Sequence, residues 1–343
     1  MKFYFLSALF LVGSCTELRY SEKVKNLKQS IVFEQQDTIE KYANTITVDE
    51  LEFHIQKFAS EEFTGRKTGE EGHNKACNYL RNFYQQHNIG SPISDNEYYQ
   101  TVPSEYFPEG YNDSQNVIAY IEGEVYPEEV VIISGHSDHE GIVNGEIYLG
   151  ADDNGSGTSA ILEMAQAFKL AEQNGFRPKR SIAFMHMTAE EIGLYGSRYY
   201  TENPVFPLVN TVAALNLDMI GRTDRRHEND DEYIYIIGAD RISTELHYVS
   251  EKANELFTNL ELDYTYSADD DLNRYYYRSD HYNFALQGVP VIFYFNGEHE
   301  DYSKPTDTPD KINYDLLAKR TKLIFTTAWY LANSELRLSP EKL

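Results

Sequence analysis

Residues 130–141 read VVIISGHSDHEG, an apolar run that ends in small, polar and ionisable residues. A short run of β-branched residues that stops at a glycine predicts a buried strand. Such β-rich runs occur at residues 116–121, 129–134, 181–187, 212–217, 233–237 and 289–295. Helical periodicity lies between or after them, at residues 157–174, 242–257, 279–286 and 311–333. This alternation predicts an α/β fold, in which a mostly parallel or mixed central sheet is covered by helices on both faces.

The composition predicts a globular protein that does not bind nucleic acid. Hydrophobic residues make up 41% of the 343 residues and aromatic residues 14%, which is enough to form a large buried core. The formal charge is -25, from 30 basic and 55 acidic residues. Because nucleic-acid phosphates are bound by clusters of Lys and Arg, this acidic balance argues against nucleic acid as a partner.

The N-terminus has the pattern of a bacterial export signal. Lys2 precedes an apolar stretch over residues 3–12, about half the roughly 20 residues that a membrane-spanning helix needs. Residues 12–15 read VGSC, which resembles a lipobox and predicts cleavage before Cys15 and lipidation of that residue. We therefore expect a protein of the cell envelope, periplasmic or associated with the outer membrane, that touches the membrane only through this anchor. Since Cys77 is then the only other cysteine, no intrachain disulfide is expected.

Polar residues follow the predicted strands, at the position where α/β sheets form their binding sites. The strand that begins the quoted stretch runs into His136, which is a candidate metal ligand. Asp138 lies two residues further on, where a carboxylate can orient the imidazole of a ligand. The His-x-Asp spacing taken alone is also typical of an ordinary loop.

Residues 150–157 read GADDNGSG and precede a predicted helix. This turn presents Asp152 and Asp153 near the helix N-terminus, where a carboxylate either caps the helix or binds a cation. The turn lacks the Gly-Lys-Ser/Thr ending of a phosphate-binding loop, so no nucleotide site is predicted.

Two further strands are followed by carboxylates. Glu190 and Glu191 come after the strand over residues 181–187, and Asp218 ends an otherwise apolar strand. Adjacent carboxylates at a strand end diverge, so that one can bind a metal while the other moves a proton. Gathered with Asp153, they would repel one another by roughly 4 kcal/mol for a pair 4 Å apart at an effective dielectric near 20. A divalent cation is the simplest resolution of that repulsion.

These segments, in this order and spacing, resemble the co-catalytic di-zinc aminopeptidase family. That family includes bacterial leucyl-type aminopeptidases and is related to glutamate carboxypeptidase-type enzymes and glutaminyl cyclases. The resemblance extends over about residues 63–333. It includes GRKTG at residues 65–69, RSDH at residues 278–281 and GVP at residues 288–290.

The resemblance implies a role for each carboxylate and for the histidine. Asp153 bridges two zinc ions, His136 and Asp218 complete one zinc site, and Glu191 belongs to the other. Glu190 is the implied general base that acts on a metal-bound water.

Two more catalytic residues follow from the same resemblance. Asp138 would hold His136 in place, and Tyr276, three residues before the Ser-Asp-His motif, would stabilise the tetrahedral oxyanion. Core packing is the competing interpretation of Tyr276.

The implied partner is a peptide substrate, and the oligomeric state is not predicted. The expected organisation is a signal peptide, a linker with an N-terminal helix, and a catalytic domain, over residues 1–14, 15–48 and 49–343.

The sequence departs from the family at the last ligand, a histidine in a Tyr-His-x-x-x-Asp pattern. Ser303 stands at that position, and because a hydroxyl is a poor zinc ligand, the site of Asp153 and Glu191 is expected to be weakened. Three consequences are open. The chain works with one metal, or His299 substitutes for the missing ligand, or the carboxylates hold a harder ion such as magnesium, calcium or manganese, or none.

Three functions remain as alternatives. The first is a metallo-aminopeptidase that removes N-terminal residues from peptides, with Glu190 as general base. The second is a weak or inactive relative that binds peptides, which rests on Ser303. The third is a single-metal transferase similar to glutaminyl cyclases, distinguished by its product, a cyclised N-terminus and ammonia.

Overall fold

The computed structural model describes residues 19–93, 97–228 and 232–342. The predicted signal over residues 1–14 and the lipidation site Cys15 lie outside these described residues. The α-helices in the described part are Tyr20–Ser30 (α1), Gln36–Ala43 (α2), Val48–Phe58 (α3), Glu71–Gln86 (α4), Gly157–Gln173 (α5), Tyr195–Glu202 (α6), Ala239–Ile242 (α7), Thr244–Phe257 (α8), His281–Leu286 (α9) and Tyr314–Asn333 (α10). The strands are Tyr99–Val102 (β1), Ser114–Ile121 (β2), Tyr126–His136 (β3), Gly141–Val143 (β4), Glu146–Tyr148 (β5), Arg180–Met187 (β6), Thr211–Leu217 (β7), Tyr233–Ile237 (β8), Glu261–Asp263 (β9) and Val291–Phe295 (β10).

Eight of these strands form one mixed sheet in the order β1-β2-β6-β3-β7-β10-β8-β9. The four central strands β6, β3, β7 and β10 are mutually parallel. Strand β2 pairs antiparallel with β1 and β6, and β8 pairs antiparallel with β10 and parallel with β9. The carboxyl ends of the four central strands therefore lie along one edge of the sheet. The predicted mixed α/β sheet is confirmed.

Helices cover both faces of the sheet. Successive residues of a strand point to opposite sides, so the apolar residues of one strand contribute to the core on each face. On β3, Val131 and Ile133 are buried in the same core as α5 and α10. Val130 and Ile132 pack on the other face, in the cluster that includes Phe284 of α9. A strand buried on both faces is apolar at every position, which explains the continuous run VVII in the sequence.

The largest differences from the predicted elements lie at the edges of the sheet and at the last helix. The short edge strands β1 and β9 were not predicted, because three or four residues show too little alternation to be recognised. The last helix was predicted from residue 311, but Pro309–Lys311 forms a separate 3-10 turn. Helix α10 starts at Tyr314, and the side chain of Asn313 caps it by accepting the N–H of Leu316 at 3.1 Å.

The N-terminal segment also differs from the expected linker over residues 15–48. Helix α1 has no buried residue, but from Ile31 onward the chain joins the main core. Tyr42 of α2 is fully buried and its ring stacks on that of Trp329 in α10, with centroids 5.9 Å apart. The structure therefore moves the start of the packed domain from residue 49 to Ile31. Within the described residues, no helix is long and apolar enough to cross a membrane.

Candidate metal centre

Ionisable side chains converge at the carboxyl edge of the central strands. His136 is the last residue of β3, and Asp218 directly follows β7. Glu190 and Glu191 lie just beyond the end of β6, and Asp153 lies in the irregular turn that precedes α5. The structure brings these five side chains together although they come from four separate segments of the chain.

Three of them form a first group of possible metal ligands, made of His136, Asp153 and Asp218. The Nε2 atom of His136 lies 3.2 Å from Oδ1 of Asp153 and 3.2 Å from Oδ1 of Asp218. One donor atom from each residue lies within 4.8 Å of the others, and all three residues are buried. Three protein ligands with one open position are the usual number for a catalytic zinc ion.

A second group contains a residue that the sequence interpretation overlooked, His139. Its Nδ1 atom lies 2.6 Å from Oε1 of Glu191 and 3.9 Å from Oδ2 of Asp153. These three residues also offer donor atoms within 4.8 Å of one another. The available signal was a second histidine three residues after His136, to which the sequence analysis assigned no role.

Asp153 is the residue that both groups share. Its Oδ1 atom faces His136 and its Oδ2 atom faces His139, so the two carboxylate oxygens point to different groups. The backbone around it is held from two sides: the carboxylate of Asp307 accepts the N–H groups of Asp152 and Asp153, and Arg66 donates to the carbonyls of Gly150 and Asp153. This is the geometry of a bridging carboxylate on a fixed loop.

Arg66 is fully buried and organises the loops that carry the ligands. Beyond Gly150 and Asp153, its guanidinium also donates to the carbonyl oxygens of Ser137, Phe58 and Leu149. These five carbonyl contacts compensate the buried charge. Burial lowers the pKa of Arg66 only to about 10. The GRKTG segment thus contributes a backbone clamp and no metal ligand.

Asp138 supports both a ligand and the residue predicted to act as base. Its carbonyl oxygen lies 3.2 Å from Nδ1 of His136, and its carboxylate accepts the N–H of Glu190 at 3.2 Å and the hydroxyl of Thr68 at 2.8 Å. A ligating histidine whose second nitrogen is hydrogen-bonded keeps one tautomer and one orientation. In this structure that bond goes to the backbone of Asp138, while the carboxylate positions Glu190.

A cavity of about 300 Å³ opens above the two groups. Its polar wall contains the carboxylates, together with Arg278, Glu298 and Tyr302. Its apolar wall is formed by the side chains of Leu194, Met219, Tyr275, Tyr277, Phe293 and Phe295. Glu190 faces this space beside Asp153, Glu191 and Asp218, where it can reach a substrate bound at the metal centre.

The electrostatics of the centre fit zinc. Burial raises the pKa of Glu191 to about 8, and the negative charges of Asp138 and Glu140 add to this effect. Burial likewise raises the pKa of Glu190 and Asp153, and it lowers the pKa of His139 to about 4. A neutral imidazole among crowded carboxylates is a donor set that zinc accepts, and the ion would offset their mutual repulsion.

The structure does not place Tyr276 where an oxyanion donor is needed, which corrects that prediction. Its ring packs against the guanidinium of Arg241, 3.9 Å from the centroid, and against Gly238, where an added Cβ atom would lie 2.5 Å from Cε2 of the ring. Its neighbours Tyr275 and Tyr277 line the cavity instead. The competing interpretation, core packing, describes Tyr276, because the short 3-10 turn at Tyr275–Tyr277 directs successive side chains to different sides.

Ser303 and His299 stand outside both ligand groups. Ser303 is exposed and has a left-handed backbone conformation with φ 51°. His299 is buried, but its Nε2 atom lies 3.1 Å from Oδ2 of Asp152, which belongs to neither group. The structure therefore does not show the suggested substitution by His299. The imidazole of His299 contacts Asp152, and Asp153 is the residue that both ligand groups share.

The fold and this centre define a class of enzymes, and residues 116–328 match the family model described as peptidase family M28. The chain belongs to this family, which confirms the resemblance to di-zinc aminopeptidases and their relatives. The matched region contains every ligand of the two groups and Glu190.

Curated relatives give the same result over part of their length. A probable zinc metalloprotease of Pyricularia oryzae is 29% identical over an alignment of 259 residues, and the match covers 64% of this chain and 50% of the relative. A probable aminopeptidase of Saccharomyces cerevisiae is 28% identical over an alignment of 234 residues, and the match covers 65% of this chain and 59% of the relative. The chain thus spans between half and three fifths of the length of these relatives.

Solved structures share the fold at lower identity. The LapA aminopeptidase of Legionella pneumophila has a TM-score of 0.68 at 19% identity, covering 89% of this chain and 77% of that one. The glutaminyl cyclase of Porphyromonas gingivalis has a TM-score of 0.66 at 18% identity, covering 82% and 97%. At these identities the similarity establishes the common fold.

Proposed function

We propose that the protein is a metallo-aminopeptidase that removes N-terminal residues from peptides. The observation that supports this most directly is the convergence of His136, Asp153 and Asp218 beside Glu190. Asp153, Asp218 and Glu190 line an open cavity. When bound, zinc in such a site acts as a Lewis acid on the scissile carbonyl and on the attacking water.

Glu190 is the general base of this proposal. Its backbone is held by the N–H bond to Asp138, and its carboxylate lines the cavity beside the ligands. It takes a proton from the attacking water and passes it to the amine that leaves. Such proton transfer contributes about 10²-fold to 10⁴-fold to a rate.

The lining of the cavity favours a peptide N-terminus over a C-terminus. Among the carboxylates that line it, Asp153, Glu191 and Asp218 would be bound to zinc, which leaves those of Glu190 and Glu298. Arg278 is the only cationic residue among the lining residues, and it is paired with Glu298 at 3.1 Å. A carboxypeptidase needs a free cation for the terminal carboxylate of its substrate, and the described lining of this cavity offers no unpaired one.

The apolar wall suggests which N-terminal side chain is accepted. Leu194, Met219, Phe293 and Phe295 form a surface that buries an apolar side chain, at about 0.8 kcal/mol per CH₂ group. We therefore expect leucine or phenylalanine at the substrate N-terminus to be preferred over aspartate or glycine.

Arg278 and Tyr302 are the candidates for the oxyanion role that Tyr276 does not fill. An Arg278 N–H group donates to the Tyr302 hydroxyl at 3.2 Å, and both residues line the cavity. This bond leaves the hydroxyl proton of Tyr302 free to point to a substrate carbonyl.

The location of the enzyme remains a proposal that rests on the sequence. The export signal and the lipobox ending at Cys15 support a lipid-anchored enzyme of the cell envelope, whose substrates are extracytoplasmic peptides. Radiolabelled palmitate incorporated into the wild type, but not into Cys15→Ala, would test this assignment.

The decisive experiment measures release of leucine from Leu-p-nitroanilide and from a Leu-initiated tripeptide by the zinc-equilibrated protein. Glu190→Gln should lower kcat by about 10²-fold to 10⁴-fold and leave the zinc content unchanged. The exposed Glu146, on the β4-β5 hairpin, provides the matched control, and Glu146→Gln should retain wild-type turnover.

Three results would contradict the proposal. Equal activity in the wild type and in Glu190→Gln would remove the base from the mechanism. Zinc binding without amino-acid release would favour the peptide-binding relative, and cyclisation of an N-terminal glutamine with loss of ammonia would favour the transferase.

A further inference from the structure

The replacement at Ser303 raises the question of whether a second metal ion can be held at all. Ser303 is exposed, and the loop that carries it is anchored on both sides. Asp301 binds Lys311 at 2.6 Å and Arg222 at 3.1 Å, and Asp307 binds the backbone of the Asp152-Asp153 turn. The loop is thus fixed with no imidazole directed at the second group.

The imidazole of the second group belongs to a different loop from Ser303. His139 follows β3, and the donor group that it forms with Asp153 and Glu191 is complete without any residue of the Ser303 loop. One carboxylate oxygen of Asp153 remains for this group, because the other faces His136. The three donors therefore surround a position distinct from the first one.

His139 is held in this position by its surroundings. It is 2% exposed, and its backbone N–H donates to the carbonyl of Arg66 at 3.1 Å. Its ring packs on Gly150, where a Cβ atom would lie 2.5 Å from Cδ2 of the imidazole. Only glycine at position 150 leaves room for the ring, so the loop before Asp153 and the loop after β3 fit each other.

We propose that His139 replaces the missing family histidine, and that the chain binds a second zinc ion between Nδ1 of His139, Oδ2 of Asp153 and the carboxylate of Glu191. Three ligands of types that zinc prefers leave a fourth position for water or substrate. The inference deepens the proposed function and rests on it for the identity of the ion. It makes the protein a two-metal enzyme whose second site is assembled from a different loop than in its relatives.

The test is the zinc content after equilibration and dialysis, measured by mass spectrometry. The wild type should retain about two zinc ions per chain, and His139→Ala and His136→Ala about one each. In isothermal titration, His139→Ala should weaken the second zinc by more than about 100-fold, the upper range for loss of a mere supporting residue. His186, buried and bonded to Tyr84, is the matched control, and His186→Ala should keep both ions.

A rescue experiment addresses the relation to the missing histidine. Adding Ser303→His to the His139→Ala variant should restore the second zinc, since it returns the ligand to its usual loop. A wild type that binds one zinc, or a His139→Ala variant that retains two with unchanged affinity, would overturn the inference.

X-ray absorption on the wild-type protein tests the same point without a variant that must fold. Two sites with one histidine each give an average of about one imidazole per zinc. If the second ion is held without His139, the average is about half an imidazole per zinc. The outcomes also separate the two proposals. Two zinc ions without hydrolysis would refute the peptidase and keep the His139 site, and one zinc ion with hydrolysis would do the reverse.

Discussion

The two ligand groups share Asp153 but differ in how their other members are supported. In the first group, Nδ1 of His136 is close to the carbonyl of Asp138, and Oδ2 of Asp218 accepts the hydroxyl of Ser279 at 2.7 Å. In the second, Nε2 of His139 has no hydrogen-bond partner among the described residues, and the Glu191 side chain is 15% exposed. The first group is therefore the better preorganised of the two.

This difference shows how a metal centre can lose a ligand at one site and keep the other site intact. His136 and Asp218, which belong to the first group alone, lie at the ends of buried strands, where hydrogen bonds from neighbouring elements orient them. The second group depends on loops that meet at Asp153. A ligand of this group can therefore be supplied by a different loop with a smaller loss of stability than a ligand at a strand end. We expect the first site to bind zinc more tightly and to fill first.

Gly150→Ala should have the largest effect, and it should fall on the second group. Its φ is 56°, and a methyl group would lie 2.1 Å from the carbonyl oxygen of Asp153 and 2.5 Å from the His139 ring. We expect a loss of about 2 to 5 kcal/mol in the free energy of unfolding, from overpacking and from strain. The second zinc should be lost with it, as measured by denaturant unfolding and zinc content.

Gly145→Ala separates the clash from the backbone strain. Gly145 also has a positive φ, 86°, but no heavy atom lies within 4 Å of the position of an added Cβ. This control should lose only about 1 kcal/mol and keep both ions. If the two alanine variants bind zinc equally, His139 does not need its contact with Gly150.

Ser279→Ala should act on the first group alone. Loss of the hydroxyl that orients Asp218 should weaken the first zinc by about 10-fold to 100-fold and leave the second unchanged. Titration of the metal-free protein with zinc measures both constants. Ser303→Ala is the matched control and should change neither, because Ser303 is exposed and outside both groups; a change in the second constant would make Ser303 a ligand after all.

The smallest effect concerns the metal-free protein and pH. In the folded protein Glu191 has a pKa of about 8, whereas in the unfolded chain its carboxyl group loses its proton near pH 4.5. The folded form therefore holds more protons than the unfolded chain between pH 6.5 and 8. Stability should therefore fall as pH rises through this window, by up to about 1.4 kcal/mol per pH unit for this group.

Chemical denaturation in the presence of a chelator measures this slope. Asp307, with a pKa raised to about 7 by burial and by Asp152, adds to it. Glu191→Gln should flatten the curve, and saturating zinc should remove the loss. Constant or rising stability of the metal-free protein over this range would show that the second group does not carry a buried, protonated carboxyl group.

Much of the fold was predictable because its signals are local. The apolar runs of β3, β6 and β7 and the helix α5 were located within a few residues, since a strand buried on both faces reads as a continuous apolar stretch. The carboxylates that follow these strands indicated the edge where the site forms. The short edge strands and the cap of α10 were missed, because three or four residues carry little periodic signal.

The sequence by itself determined the α/β class, the edge of the sheet that carries the chemistry, and the candidates His136, Asp153, Glu190, Glu191 and Asp218. These follow from periodicity and from the residues at strand ends, which short windows contain. The tertiary structure alone decided that His139 joins Glu191, 52 residues away, and that His299 turns to Asp152. Which imidazole meets which carboxylate depends on how distant loops pack on one another, and no local pattern encodes that distance.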